Sequence, residues 1–247
     1  MTQIQAHRGA SAYAPENTLP AFQKARSLHA DGIETDIHLT ADGVFVICHD
    51  EKLGRTSNGT GSISQQTLIQ LRQYDFGSWF SPAFSGTRIL TLEELLKWTA
   101  DIAIINIELK GLGGPEMPPE QGLRQLTDML ASFGCLERTI ISSFRHDWLL
   151  KLKFIAPSLR TGLLYDHPYT PAETLQLVQE QQADAIHPAL HCITPEIAES
   201  CRKHGIQVNV WTADTQEDIS LALDYQVNSI ITNVPDRAVA MRDARKI

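Results

Sequence analysis

Apolar residues recur along this chain with two alternating periods. Short runs rich in isoleucine, valine and leucine start at Ile4, Gly32, Ala103, Thr139, Leu159, Asp184, Ile206 and Asn228, each bounded by turn residues as buried strands are. Between them lie stretches with apolar positions three and four apart, the spacing of one helix face. The first opens at Pro15, Glu16 and Asn17 and carries Leu19, Phe22, Ala25 and Leu28. After the second strand the helix is delayed until TLEELLKW, where Thr91 and Glu94 form a capping box. Later helices are expected at 118–133, 145–155, 171–181, 195–204, 215–225 and 235–245. Eight strand–helix units in 247 residues predict one TIM (β/α)8 barrel domain over residues 1–247. An open doubly wound sheet is the rival, but the glycine-rich first turn that such sheets often use for nucleotides is missing.

The stretch Gly32–Asp50, GIETDIHLTADGVFVICHD, departs from that rhythm. Strand side chains alternate faces, so Glu34 and Asp36 project together. Asp42-Gly43 signals a turn into a second strand over Val44–Ile47, and so short a link makes a hairpin. With Asp42 and Gly43 as the loop, Ala41 pairs with Val44 and His49 comes opposite Asp36. With the loop one residue earlier, His49 falls beside Thr35. In both registers a histidine arrives between two carboxylates. Residues 51–90 then break the pattern, rich in Ser, Gly, Thr and aromatics, with one convincing helix near 65–72. This small inserted segment after the second strand is expected to act as a lid or binding loop.

Net charge is −8, which argues against a general nucleic-acid or anionic-membrane surface. A phosphate-bearing ligand would therefore need locally placed cations. No apolar run reaches the roughly 20 residues of a membrane span, and MTQIQAHRGA does not read as a secretory signal. Cys48, Cys135, Cys192 and Cys201 form no C-x-x-C pair and read as reduced thiols of a cytoplasmic protein. The expectation is a monomer or small homo-oligomer with no nucleic-acid partner and no membrane anchor.

Barrel active sites sit at the C-terminal strand ends. Those ends carry His7 and Arg8, Glu34 and Asp36, Glu108 and Lys110, then Ser142 and Ser143, Tyr165 and Asp166, His187, Asn209 and Trp211, and Thr232 and Asn233. Glu34, Asp36 and Glu108 offer oxygen without thiolate, which suits Mg²⁺ or Ca²⁺ better than zinc, with Mn²⁺ as an alternative. The bland reading of these acids is a structural ion-pair network. His7 and His49 can serve as base and acid, since imidazole titrates near neutrality. Arg8 and Lys110 make a clamp for phosphate. Trp211 either stacks on a sugar-like ligand face or plugs the barrel top, and Phe144 has the same two readings. His187 joins the expected ligand-binding set. It makes no zinc site with His191, because no H-E-x-x-H helix is present.

His7-Arg8-Gly9, Pro15-Glu16-Asn17-Thr18, Glu34-x-Asp36, His49-Asp50, the run Arg55 to Gly61, Glu108-Leu109-Lys110, Val210-Trp211-Thr212 and Ile231-Thr232-Asn233 stand in this order. Together they resemble the glycerophosphodiester phosphodiesterase family, in its cytoplasmic bacterial branch. The resemblance implies a TIM barrel with an inserted segment after the second strand. It also implies one divalent cation on Glu34, Asp36 and Glu108, acid–base work by His7 and His49, and phosphate contacts from Arg8 and Lys110. Leu90 stands where family members usually have proline before the Thr-Leu-Glu-Glu helix, which affects loop stiffness and no chemistry. The implied reaction is hydrolysis of a glycerophosphodiester to sn-glycerol 3-phosphate and an alcohol through a cyclic phosphate, with His7 as first base by analogy. The rivals are a lysophospholipid or other phosphodiester hydrolase, for which Trp79, Phe80 and Phe84 offer an apolar rim, and a non-catalytic barrel binding a phosphorylated ligand.

Overall fold

The computed structural model describes residues 1–113 and 118–245. β1 (Gln3–Ala6), α1 (Leu19–Ser27) and β2 (Gly32–Leu39) open the chain. β3 (Phe45–Ile47) turns back along β2, and α2 (Leu68–Leu71) and α3 (Leu92–Trp98) follow. Strand and helix then alternate through β4 (Ile104–Gly111), α4 (Pro119–Ser132), β5 (Thr139–Ser143), α5 (His146–Ile155), β6 (Arg160–Tyr165) and α6 (Pro171–Gln181). The last units are β7 (Ala185–Pro188), α7 (Pro195–Lys203), β8 (Gln207–Val210), α8 (Gln216–Asp224), β9 (Ser229–Thr232) and α9 (Pro235–Ala244). The parallel strands run in the order β1, β9, β8, β7, β6, β5, β4, β2, and β2 pairs back with β1. The eight strands therefore close into the expected barrel, with no open edge among them.

β2 is eight residues long and β1 only four. Along one edge β2 pairs with β4 from Gly32 to His38. Along the other, β1 reaches only Gly32 and Ile33, and β3 takes Ile37, His38 and Leu39 in antiparallel pairing. The hairpin thus covers the backbone groups that a short β1 leaves unpaired, at the C-terminal rim. Its register pairs Ile37 with Ile47 and Leu39 with Phe45. That is the second of the two sequence expectations, and the pairing of Ala41 with Val44 is corrected. The loop has three residues because Thr40 Oγ1 donates to Asp42 Oδ1 at 2.6 Å and accepts from Val44 N at 2.9 Å, while Gly43 takes φ +76°.

Two further expectations shift. α1 starts at Leu19 rather than Pro15, since Thr18 Oγ1 bonds Pro15 O at 2.5 Å and Asn17 takes φ +58°. The helix expected at 65–72 is a 3-10 turn at Ile63–Gln65 followed by the single turn α2, capped by Thr67 and Gln70. The capping box of Thr91 and Glu94 forms as expected.

The main core lies between the barrel and its helices, with Phe22, Ile33, Ile107, Leu123, Leu149, Ile186 and Ile230 fully enclosed. Val46, Cys48, Ile63, Leu71, Phe76 and Ile89 form a second, separate core that belongs to β3 and the segment after it. Ile63 is fully buried there. Ile63→Ala should cost about 2–5 kcal/mol of local or global stability, read by denaturant unfolding.

Candidate active site

The polar layer starts below the rim. Gln5 Nε2 donates to Ser229 Oγ at 2.9 Å, Ser142 Oγ to Asn106 Oδ1 at 3.0 Å, and Asn209 Nδ2 to His187 Nε2 at 2.9 Å. His187 fits because Gly162 on β6 has no side chain, since a Cβ there would stand 2.3 Å from His187 Nε2. Full burial pushes the His187 imidazole down to about 3, so it is neutral. It forms part of the floor of a cavity of about 270 Å³ that opens at the C-terminal strand ends. The walls include His7, Arg8, Glu34, His49, Glu108, Lys110, Phe144 and Trp211. The sequence-derived set is therefore brought to one place, and Asp36 lies against it through Arg8 and Lys110.

Glu34 and Asp36 stand on β2 and Glu108 on β4, and the register places Asp36 opposite Glu108. One oxygen from each lies within 4.8 Å of the others. Glu34 Oε2 accepts from Arg8 N at 2.9 Å, Asp36 Oδ2 from Asn17 Nδ2 at 2.7 Å, and Glu108 Oε1 from Lys110 Nζ at 2.8 Å. Asp36 Oδ1 is buried without a hydrogen-bond partner among the described residues. Burial and the neighbouring Asp36 and Glu108 charges hold the Glu34 carboxyl well above its usual range. Burial and Asp36 push Glu108 up to about 7. Burial would raise Asp36 too, but Arg8, His49 and Lys110 outweigh it and leave it below its usual value. Three converging carboxylates, short of donors, fit a hard divalent cation.

The two histidines are held differently. His7 Nδ1 lies 2.7 Å from Asn233 Oδ1, and Asn233 Nδ2 donates to Asp214 Oδ2 at 2.5 Å, so the amide oxygen faces His7. Nδ1 therefore carries the proton and Nε2 the lone pair, 4.0 Å from Glu34 Oε2. Burial first, then Arg8, pushes His7 down to about 4. His49 Nδ1 instead meets a carboxylate, Asp50 Oδ1, at 2.6 Å, and its Nε2 is 3.1 Å from Lys110 Nζ. Its backbone carbonyl is held by His38 Nε2 at 3.1 Å. Burial lowers the His49 imidazole against the opposing pull of Asp36. Arg55 holds Asp50 in turn, and the Asp50 carboxyl falls to about 2.

Aromatic faces close the far wall. Trp211 Nε1 donates to the carbonyl of His187 at 2.7 Å, and Phe144 packs edge-to-face on the indole with centroids 5.8 Å apart. Sequence reasoning placed Asn233 at a strand end of the site without a role, and assigned none to Asn17, Asp50 or Arg55. The signal existed in the Pro-Glu-Asn-Thr and His-Asp runs, but the partners of these side chains depend on loop paths. Asn17 adopts a left-handed backbone, tolerable for asparagine, to reach Asp36 and Thr35.

Comparison with known proteins follows the same lines. The model of the glycerophosphoryl diester phosphodiesterase family matches residues 7–237. A glycerophosphodiester phosphodiesterase of Caldanaerobacter subterraneus subsp. tengcongensis is 38% identical over 240 residues, 96% of each chain. The crystal structure of a glycerophosphodiester phosphodiesterase from Agrobacterium tumefaciens superposes with a TM-score of 0.84 at 30% identity, covering 97% of this chain and all of that one. A phosphodiesterase from Oleispira antarctica, solved with the product sn-glycerol-3-phosphate, gives 0.87 at 26% identity over 98% of this chain and 97% of that one.

Proposed function

This chain belongs to the glycerophosphoryl diester phosphodiesterase family, and we propose on that premise that it hydrolyses glycerophosphodiesters to sn-glycerol 3-phosphate and an alcohol, with Glu34, Asp36 and Glu108 as cation ligands and His7 and His49 as the acid–base pair. The observation that carries the reading is the convergence, around one cavity, of three carboxylates, two differently oriented imidazoles and two cations. A divalent cation on Glu34, Asp36 and Glu108 would lend positive charge to phosphoryl oxygens and acidify a nearby hydroxyl. Mg²⁺, Ca²⁺ and Mn²⁺ all suit an oxygen-only donor set.

His7 offers an unprotonated Nε2, backed by a neutral amide, and takes the proton of a glycerol hydroxyl as that oxygen attacks phosphorus. His49 is backed by a carboxylate, which opposes the lowering by burial, and it gives a proton to the departing alcohol. A cyclic phosphate results, and water opens it with the roles reversed. Arg8 and Lys110 offset the charge on the phosphoryl oxygens. Phe144 and Trp211 form an aromatic wall against which an apolar face of the substrate packs, and His187 supports Trp211 through its carbonyl. The cavity volume lies just below the usual range of roughly 300–1,000 Å³ for small-molecule sites, which suits a compact head group. Four free, buried cysteines support a cytoplasmic location. Among the described residues no helix is long and apolar enough to cross a membrane.

Release of glycerol 3-phosphate from glycerophosphocholine is expected to vanish on chelation and return with one of the three ions. No release with any of them, from folded protein, would overturn this substrate assignment. A screen of lysophospholipids would then test the rival hydrolase.

A further inference from the structure

We propose that Arg55, which lies outside the cavity wall, is a positioning residue that fixes His49 through Asp50 and Arg8 through Glu16. The inference rests on the acid–base reading of His49. Arg55 Nε donates to Asp50 Oδ2 at 2.6 Å, and Nη2 reaches Asp50 Oδ1 at 3.2 Å. On its other side Nη1 donates to Glu16 Oε2 and Nη2 to Glu16 Oε1, both at 2.8 Å. One planar guanidinium thus holds two carboxylates with paired bonds, a geometry that an ammonium cannot copy.

Each carboxylate has a second duty inside the site. Asp50 Oδ1 accepts from His49 Nδ1 at 2.6 Å, and Glu16 Oε1 accepts from Arg8 Nη1 at 2.8 Å. Arg8 Nε in turn stands 3.3 Å from Asp36 Oδ2. An unbroken run of charged side chains therefore links the His49 ring to the acidic cluster, and Arg55 is its midpoint. It is also where residues after β3 grip the segment before α1. The Arg55 side chain is 46% exposed, so it adds little to stability as an ion pair. Its contribution is orientation: without it Asp50 can swing away, and His49 loses both its ring angle and its proton on Nδ1. Such a loss falls on kcat more than on KM.

The test compares R55A, R55K, D50N and D50N/R55A with R88A. Arg88 lies in the same insertion, bonds the carbonyls of Gln73 and Tyr74, and serves as a structural control. R55A should lower kcat by about 10- to 100-fold with KM within about threefold, and R55K should recover little. Added guanidinium, below denaturing concentration, should restore part of the R55A rate. The double variant should lose less than the product of the two single losses, because both changes cut the link to His49 while only R55A also frees Glu16. R88A should keep wild-type kcat. Imidazole nitrogen shifts of His49 should show Nδ1 protonated in the wild type and a tautomer mixture in R55A, whether or not substrate turns over. Wild-type kcat in R55A, additive losses, or an equal loss in R88A would overturn the proposal. If R55A does not fold, R55K and D50N decide by the same kcat and nitrogen-shift criteria. A wild-type enzyme inactive on every diester would refute the functional reading instead, and the nitrogen shifts would still judge the positioning.

Discussion

His7→Ala and His49→Ala should each lower kcat by about 10²- to 10⁴-fold with KM little changed, because each removes a proton transfer and leaves Arg8 and Lys110 in place. The two losses should differ in kind. His49 Nδ1 faces the Asp50 carboxylate and His7 Nδ1 faces the Asn233 amide. On the proposed reading that asymmetry assigns His49 as the donor to the departing alcohol. A diester whose alcohol is a nitrophenol leaves without a proton, so it should restore most of the rate of His49→Ala and little of that of His7→Ala. Steady-state rates on the nitrophenyl and choline diesters make the comparison. The opposite pattern would exchange the two roles, and near-wild-type turnover in either variant would remove that histidine from the chemistry.

Glu108→Gln should abolish metal-dependent turnover and yet stabilise the metal-free protein. Glutamine keeps an oxygen for Lys110 but removes one of three charges packed within 4.8 Å. In a chain of this size about 1 kcal/mol moves Tm by about 2–4 °C, so a rise of a few degrees in chelator is the expected reading. The wild type should gain stability from the cation, about 2.7 kcal/mol at a hundredfold excess over Kd, and the variant should not. The pH dependence follows from the raised carboxyl. Glu108 is held at about 7 against an ordinary 4.5, by burial and by Asp36. Folded protein therefore binds the proton more tightly than unfolded chain. The associated stability is complete below about 4.5 and is lost as pH rises to about 7. His7 and His187, both lowered by burial, pull the other way in both proteins, so the Tm gain of Glu108→Gln over metal-free wild type should be larger at pH 8 than at pH 5. A metal-free variant that melts below the wild type at pH 8 would refute the like-charge account.

The barrel was legible because strand and helix periods alternate without interruption after residue 91, and because acids and histidines cluster at strand ends where apolar residues would otherwise stand. Parity alone put Glu34 with Asp36 and Glu108 with Lys110 on shared strand faces, while His7, Arg8 and His49 were singled out by strand ends and by the short hairpin link. The hairpin register could not. Asp42-Gly43 points to a two-residue loop, and only the Thr40 hydroxyl, bonded on both sides, makes three residues the better solution. Asn17 was read as a helix start because Pro-Glu-Asn is a common opening, whereas its amide is committed to β2. Asp50 and Arg55, and the partner of Asn233, escaped for a related reason. Their roles depend on which loop passes which, and local patterning carries no record of that.

The separate apolar core behind His49 implies that the enzyme has two melting units rather than one. Val46, Ile63, Leu71, Phe76 and Ile89 pack with one another and not with the barrel's helices. A small cluster of this kind opens at lower free energy than a closed sheet. In a denaturant titration, catalysis should therefore disappear before the circular dichroism of the barrel changes. Amide exchange between residues 51 and 89 should outrun that of β4 to β9. The scaffold can then outlive its own activity, and a mutational screen scored on solubility alone would pass many chains in which His49 no longer has a fixed address.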